Sequence, residues 1–439
     1  MIWSVLFACV AGHDRYYEGI QETPVSASHR LVSFRFSIET DGTDSQLLDL
    51  FPQPVASVLI ANRISMKSFS GHLVRGRWKW ASNTPSFDPT GSSMFVTGNH
   101  SDRGVWTQTA WMLSTILGAS FESLAPEQKS FYWMTPLDLD GGVRVASNPN
   151  EHLCTDNVER WTELLPCRHR RGLGQTATAI SLEMARSEYI SIHVEGRNTK
   201  DNGSILNGAI HVVLENGIKL LDFSPCLNRS SINEQIGKTQ QSVSVFRSMT
   251  GSSLGPERRY GQLRYVLVNT DLSNPHWIEI QDQIPFFLVP LWHRYAHENL
   301  PDMEFPTSET APTNLKWELK LDPGETRSIS LDVYKRYIPM SRFSFSFEKG
   351  FDIGSAAYRI DRGEWSLTRG LVVIIPLPDA TSTFNAIAVS MTTIALFYGI
   401  VFRAFVGKRS ELLDETKTRD PPIIRLVTWI YERIKSRRL

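Results

Sequence analysis

The sequence has little of three things that would each define a class of protein. Its 439 residues include four cysteines, too few for a protein held together by a disulfide framework. Lys plus Arg and Asp plus Glu both number 46, so the chain lacks the positive excess of a nucleic-acid-binding protein. Long uncharged runs are also scarce, which excludes a protein with many membrane spans. Hydrophobic residues make up 41%, which excludes a disordered chain.

Catalytic motifs are missing as well. The sequence contains no GxSxG, no HExxH, no glycine-rich phosphate loop and no paired CxxC. His293 and His297 lie four residues apart but lack a third ligand, so we predict no metal site. A thiol–imidazole pair of Cys154 or Cys167 with His169 would suit a hydrolase, yet no sharp nucleophile turn accompanies it. We therefore predict a protein that is not itself an enzyme and binds no cofactor.

One uncharged run is long enough to cross a membrane. Residues 380–402 carry no charge, and 23 residues in a helix span about 34 Å. We predict a transmembrane helix over residues 384–402, in which Ala395 and Gly399 would let another helix approach closely. Residues 403–439 hold ten basic and five acidic side chains. The positive-inside rule then predicts a cytosolic tail and a body on the other side of the membrane.

The two ends of the chain carry further signals. Residues 1–11 resemble a short signal peptide that ends at small residues, with a truncated start or a first strand as the alternatives. Apolar residues at helical spacing after Pro422 predict a basic amphipathic helix on the membrane surface, with a solvated tail as the alternative. Three N-glycosylation sequons would suit a body in the secretory pathway: Asn99, Asn202 and Asn228.

The body is predicted to be mainly β-structure with some helix. Apolar and polar residues alternate around Phe34, Ile192 and Trp317, as in strands with one buried face. Asn216-Gly217 lies between two apolar runs and predicts a hairpin. Helical spacing predicts a helix around Leu113.

These patterns predict an α+β fold built from antiparallel, sandwich-like modules and one C-terminal membrane helix. A second helix is expected from Pro54 to Ile64. A polar stretch after Ser230 is typical of a linker, so we divide the body into an α+β module over residues 12–235 and a β-sandwich-like module over residues 236–378.

The cysteine count predicts an unpaired thiol. If Cys9 leaves with a signal peptide, Cys154, Cys167 and Cys226 remain in an oxidising compartment. At most two of them can pair within the chain. The third is then free or bonded to a partner, and three buried reduced thiols are the alternative.

Two blocks of the sequence resemble the PIG-T family. The first is CTDNVERWTELLPC, residues 154–167, and the second runs from Gly261 to His293. The cysteine spacing of the first block agrees with the family. The other matching positions include Trp161, Leu164, Leu165, Pro166, Asn269, Asp282 and Pro285.

The resemblance implies a non-catalytic subunit of GPI transamidase. This endoplasmic-reticulum membrane complex cleaves a C-terminal signal from a proprotein and joins the new carboxyl end to a GPI lipid. The family implies a caspase-like catalytic partner that is held by lumenal contacts and by a disulfide from the first cysteine of the block, here Cys154. Parity would then leave Cys167 and Cys226 to pair with each other.

Two other functions remain open from the sequence. The chain could be a single-pass lumenal receptor or quality-control adaptor, which the same topology and sequons would suit. It could also be a lumenal thiol hydrolase that uses Cys154 or Cys167.

Overall fold

A computed structural model describes most of the chain. The described residues are 15–40, 50–79, 89–98, 103–124, 136–199, 203–226, 242–251, 259–295, 301–304, 311–338, 350–375, 380–410 and 422–435. The expected signal peptide, Asn99, Asn202, Asn228 and His297 lie outside them. The chain divides into two units, Met1–Pro376 and Leu377–Leu439.

Within the described part of the first unit, eight strands form one antiparallel sheet in the order β1-β2-β8-β7-β3-β4-β6-β5. They are β1 (Arg15–Pro24), β2 (His29–Thr40), β3 (Met66–Gly76), β4 (Gly91–Gly98), β5 (Leu137–Leu139), β6 (Val143–Asn148), β7 (Tyr189–Asn198) and β8 (Ser204–Glu215). The alternating residues around Phe34 and Ile192 lie in β2 and β7, as predicted.

Helices cover one face of this sheet. They are α1 (Gln53–Ala61), α2 (Arg103–Leu117), α3 (Thr155–Thr162), α4 (Gly172–Ala179) and α5 (Ser181–Arg186). Their buried side chains, such as Leu59 and Leu113, join Phe34, Ile192 and Ile210 of the strands in one hydrophobic core. The helices predicted near Pro54 and Leu113 are α1 and α2. The opposite face carries a smaller cluster around Val74 and Tyr189.

The predicted hairpin at Asn216-Gly217 is wrong. Strand β8 ends at Glu215, and residues 218–226 form no strand. Both edges of β8 are already paired, with β2 on one side and β7 on the other. A following strand therefore has no free edge on which to pair. Residues Ile218, Leu220 and Phe223 pack against the core instead.

The rest of the first unit contains two larger sheets that face each other. In the described part of this region, one sheet has the order β12-β15-β10-β9 and the other β13-β14-β11-β17-β18, while β16 and β19 pair separately. The strands are β9 (Val243–Gly251), β10 (Tyr260–Asn269), β11 (His276–Ile284), β12 (Leu288–Pro290), β13 (Asp302–Glu304), β14 (Thr313–Leu321), β15 (Thr326–Lys335), β16 (Phe351–Asp352), β17 (Ala357–Ile360), β18 (Ser366–Leu367) and β19 (Val372–Val373).

Ring packing across the gap defines a sandwich. The ring centroids of Tyr265 in β10 and Trp317 in β14 lie 5.1 Å apart. The eight-stranded sheet meets the sandwich through an apolar cluster that includes Leu139, Val145, Ala357 and Leu367. The fold is therefore α+β and mainly antiparallel β, as predicted. The expected module boundary at residue 235 lies outside the described residues.

The second unit consists of helix in its described part. These helices are α6 (Ala380–Ser410) and α7 (Pro422–Lys435). The tail pattern after Pro422 thus corresponds to α7. In α7 the guanidinium of Arg433 lies 4.5 Å from the ring centroid of Trp429.

Candidate functional site

Cys154 lies at the start of α3 and its side chain is exposed. Its backbone N–H donates a 2.6 Å hydrogen bond to Oδ1 of Asn157. Nδ2 of the same buried asparagine donates to the carbonyls of Leu117 and Gly118, at 2.8 and 3.1 Å. These carbonyls lie at the end of α2, and Cys154 lies at the start of α3. Asn157 therefore forms hydrogen bonds with backbone groups at both helix ends that lack partners within their helices. The exposed thiol is therefore held on a well-anchored backbone.

The opposite face of α3 is buried. Trp161 is fully buried, and its ring centroid lies 5.3 Å from that of Phe36 in an edge-to-face contact. Leu164 and Leu165 are also in the core, while Pro166 is half-buried in the turn that follows. The matched residues of the first block thus pack the helix against the sheet.

A disulfide joins Cys167 to Cys226, with the two Cα atoms 5.9 Å apart. It ties the turn after α3 to the segment after β8, across 59 residues of sequence. Among the described cysteines, Cys154 is then the one without a disulfide partner. Because the sulfur of Cys167 is bonded, a thiol–imidazole pair of Cys167 with His169 is not present.

Glu18 supports this disulfide from β1. Its buried carboxylate accepts hydrogen bonds from the backbone N–H of Cys226, from the N–H of Leu173 at 3.1 Å, and from the hydroxyl of Tyr16 at 2.8 Å. Leu173 lies in the first turn of α4, where unpaired N–H groups attract a negative charge. Burial, together with the charge of Glu18 and its hydrogen bond, raises the pKa of Tyr16. The phenol therefore stays protonated and keeps donating.

The second block centres on a buried ionic group in the sandwich. Asp282 in β11 is 1% exposed and accepts hydrogen bonds from the guanidinium of Arg247 at 2.9 Å and from the hydroxyl of Tyr265. Burial lowers the pKa of Arg247, but the charges and hydrogen bonds of Asp282 and Tyr265 outweigh it and the pKa is raised. Burial and the charge of Asp282 raise the pKa of Tyr265 well above its usual value. Arginine is thus charged and tyrosine neutral.

The other matched residues of this block shape loops. The side-chain amide of buried Asn269 donates to the carbonyls of Asn274 and Asp322, both at 3.0 Å. It thereby joins the loop after β10 to the end of β14. Pro285 is buried after β11, and its carbonyl accepts a 2.9 Å hydrogen bond from the N–H of Leu288. These contacts are structural and bring no reactive groups together.

Across the described ranges, no three His, Cys, Asp or Glu side chains are grouped so that they could hold a metal ion. His293, in the short helical turn Trp292–Arg294, is exposed. The two sequence blocks lie in different hydrophobic cores, one under the eight-stranded sheet and one in the sandwich. The matched residues thus pack two cores, and the first block also carries the exposed thiol of Cys154.

Helix α6 contains an apolar segment, Phe384–Phe405, whose side chains are not buried by any described part of the chain. Three of its hydroxyl groups form hydrogen bonds within the helix. The hydroxyls of Ser390, Thr392 and Thr393 each donate to the carbonyl four residues earlier, at 2.7 to 2.8 Å. Such a helix has the length and composition to cross a bilayer.

Comparison with known proteins decides the family. The family model described as "Gpi16 subunit, GPI transamidase component" matches residues 1–242 and 220–427. The chain belongs to the Gpi16 family. It is also 20% identical, over an alignment of 510 residues that covers 91% of each chain, to the "GPI transamidase component PIG-T homolog" of Schizosaccharomyces pombe. The predicted membership of this family is confirmed. As a Gpi16-family chain it is a component of a multi-subunit GPI transamidase.

Two further residues of this Gpi16-family chain are not predicted by its sequence patterns. Glu18 follows Tyr16 on the buried face of β1. A charged residue at a position where the strand pattern expects an apolar one is the sequence signal that could have indicated its role. Arg247 likewise occupies a buried position of β9, but its partner Asp282 is 35 residues away and cannot be inferred locally.

Proposed function

We propose that this chain is a non-catalytic scaffold subunit of GPI transamidase in the endoplasmic-reticulum membrane. Its body lies in the lumen, α6 crosses the membrane, and residues 403–439 form a basic cytosolic tail. It binds a caspase-like catalytic subunit through lumenal contacts and an interchain disulfide from Cys154, alongside other membrane subunits. The complex attaches GPI anchors to proproteins, and the bond-breaking belongs to the partner.

The observation that supports this proposal most directly is the setting of Cys154. Cys167 and Cys226 are already bonded to each other, whereas Cys154 is exposed and is backed by the Asn157 hydrogen bonds. A thiol on a fixed backbone can form a covalent link in one defined orientation. Such a link makes all other contacts between the two subunits intramolecular, at an effective concentration near the millimolar range for short connections.

In the scaffold role this chain positions its partner and carries out no reaction itself. A partner held by one disulfide keeps its active site at a constant position relative to the membrane, where proprotein and lipid must meet. The polar hydroxyls and the Ala395–Gly399 pair of α6 favour packing against other membrane helices. The disulfide is then an anchor, and partial activity is expected without it.

The test is to purify the intact complex in mild detergent and to run it with and without reductant. We expect a slow-migrating band that reduction splits into this chain and a second subunit. Cys154→Ser should abolish the band and leave partial transamidase activity. The matched control is the double variant Cys167→Ser/Cys226→Ser, which keeps Cys154 and should keep the band. A band that survives Cys154→Ser would refute the assignment of this cysteine.

The same preparation separates the proposed function from a receptor or adaptor role. Transamidase subunits should co-purify in constant ratio, and a spread of cargo glycoproteins would instead favour the receptor.

The topology of the chain has its own test. Glycosidase treatment should increase the mobility of the chain, and the change should disappear when Asn99, Asn202 and Asn228 are all replaced by Gln. Unglycosylated sequons together with protease-accessible body residues on the cytosolic side would contradict a lumenal body.

A further inference from the structure

One end of the sandwich is basic and aromatic. Its exposed and half-buried side chains form what we term the basic–aromatic end: Arg259, Tyr260, Arg294, Arg336, Tyr337 and Ile374. The guanidinium of Arg259 lies 4.5 Å from the ring centroid of Tyr337, and that of Arg294 lies 5.6 Å from the ring centroid of Tyr260. Tyr260, Tyr337 and Ile374 are 45%, 46% and 63% exposed. Large apolar surfaces are thus left in solvent beside cations.

These residues share one end because Lys335 connects their strands. The N–H of Lys335, the last residue of β15, donates to the carbonyl of Arg259 at 2.6 Å. Its Nζ donates to the carbonyl of Ile374, just after β19, at 2.9 Å. Tyr260 begins β10 and is paired with Tyr334 in β15. The residues of the basic–aromatic end therefore lie together at the end of the sandwich where β15 and β19 finish.

The opposite end of the sandwich has the opposite character. Its loops carry Asp271, Asp322, Glu325 and Asp361, and the guanidinium of Arg327 there lies 2.7 Å from the carboxylate of Glu325. The ten residues of β10 separate the two ends by roughly 30 Å. At the basic–aromatic end, by contrast, neither Arg294 nor Arg336 forms an ion pair with a described residue. These two cations have no protein counter-charge in the described chain.

In the sequence, Ile374 at this end lies close to the apolar segment of α6. Ile375 is separated from the first residue of α6 by residues 376–379. A connection of that length spans at most about 18 Å. The apolar segment starts at Phe384, only about 6 Å further along the helix. No other end of the sandwich is tied so closely to the membrane segment by sequence.

We propose that the basic–aromatic end is a membrane-interface surface that binds phospholipid headgroups of the leaflet on the body's side. Tyrosine rings favour the boundary between hydrocarbon and water. Guanidinium groups form paired hydrogen bonds with phosphate and remain charged beside a ring. Ile374 supplies an apolar contact at the same depth. The surface fixes the tilt of the body on the bilayer.

Site-specific photo-crosslinking tests this surface in the full-length chain, reconstituted in phosphatidylcholine vesicles. The crosslinker p-benzoylphenylalanine replaces Tyr337 in one sample and Leu272 in the other. Leu272 is a matched control because it is 82% exposed in the loop after β10, at the opposite end. Irradiation should give several-fold more phospholipid adduct, measured as a mass increase, at position 337 than at position 272.

A charge variant shows whether the arginines bind the headgroups. With the crosslinker at position 337, the pair Arg294→Glu/Arg336→Glu should lower the adduct yield several-fold, and Arg327→Glu at the far end should not. Circular dichroism and the unfolding temperature of each variant verify that it is folded. Equal yields at positions 337 and 272, or adducts at 337 formed only with protein, would overturn the proposal. So would folded charge variants that leave the yield unchanged.

Discussion

Arg247 and Asp282 form a buried ion pair that joins the two sheets of the sandwich. Nη2 of Arg247 lies 2.8 Å from Oδ2 of Asp282, and both residues are at most 3% exposed. Nη1 of Arg247 also donates to the carbonyl of Gly354 at 2.7 Å. Removing two charges from water is costly, so such a pair holds only while every member has its partners. It fixes how β9 and β11 face each other.

We expect Asp282→Ala to destabilise the body by about 3–5 kcal/mol, because the guanidinium of Arg247 would remain buried without a counter-charge. Tyr265 and the N–H of Gln283 would lose their acceptor as well. Chemical denaturation of the full chain in detergent measures the change. The control is Asp322→Ala, at an exposed carboxylate 3.9 Å from Lys320, for which less than about 1 kcal/mol is expected. Equal losses in the two variants would contradict the structural role of Asp282.

Loss of the Cys167–Cys226 disulfide should lower stability by about 4 kcal/mol. The bond closes 59 residues, and the entropy of an open loop of that size in the unfolded chain accounts for the estimate. The double variant Cys167→Ser/Cys226→Ser tests it by thermal unfolding. Cys154→Ser serves as the matched control, since its exposed thiol closes no loop within the chain. Reductant should lower the unfolding temperature of the Cys154→Ser chain but leave that of the double variant unchanged; an effect on both would be evidence against this disulfide.

Asp352 predicts a pH dependence of stability. Burial raises the pKa of this carboxyl to about 7, and the hydrogen bond from Asn150 only partly opposes the shift. Between about pH 4 and pH 7 the folded protein therefore holds a proton that the unfolded chain, with a pKa of about 3.9, has released. Stability is unaffected below about pH 4, falls as the pH rises from about 4 to 7, and stays reduced above that. The rise in the pKa of Asp352 from about 3.9 to about 7 corresponds to a loss of at most about 4 kcal/mol in the free energy of unfolding above pH 7.

The variant Asp352→Asn removes the titrating group. Its unfolding temperature above pH 7 should exceed that of the wild type, and the two should converge toward pH 4. Asp322→Asn, at an exposed site, should follow the wild-type profile. A wild-type profile that rises from pH 5 to 8 in step with Asp352→Asn would refute the assignment.

Gly399 in α6 offers a test of helix packing in the membrane. Apart from the backbone of its own helix, a Cβ at this position meets no described atom within 4 Å, so α6 itself has room for Gly399→Leu. We expect it to reduce co-purification of the other membrane subunits, because a large side chain blocks close helix approach. Ala386→Leu is the control, since the 3.6-residue period places it on roughly the opposite face. Identical subunit recovery in both variants would show that Gly399 does not face a partner helix.

Periodic segments of the chain are determined by the sequence alone. Alternation around Phe34 and Ile192 predicts β2 and β7, and helical spacing around Leu113 predicts α2, because each pattern records which side of a local element is buried. The membrane segment can be predicted from its length and its lack of charged residues alone. Parity of the cysteines limits the possible pairings, and the two sequence blocks indicate the family.

Strand neighbours and buried polar partners depend on the tertiary structure. The hairpin prediction at Asn216-Gly217 is wrong because a turn signal does not reveal that β2 and β7 already occupy both edges of β8. Glu18 binds the N–H of Cys226 across 208 residues, and Asp282 binds Arg247 across 35. Each buried charged group needs hydrogen-bond partners, and these partners are close only in the folded structure. Local sequence patterns therefore do not predict them.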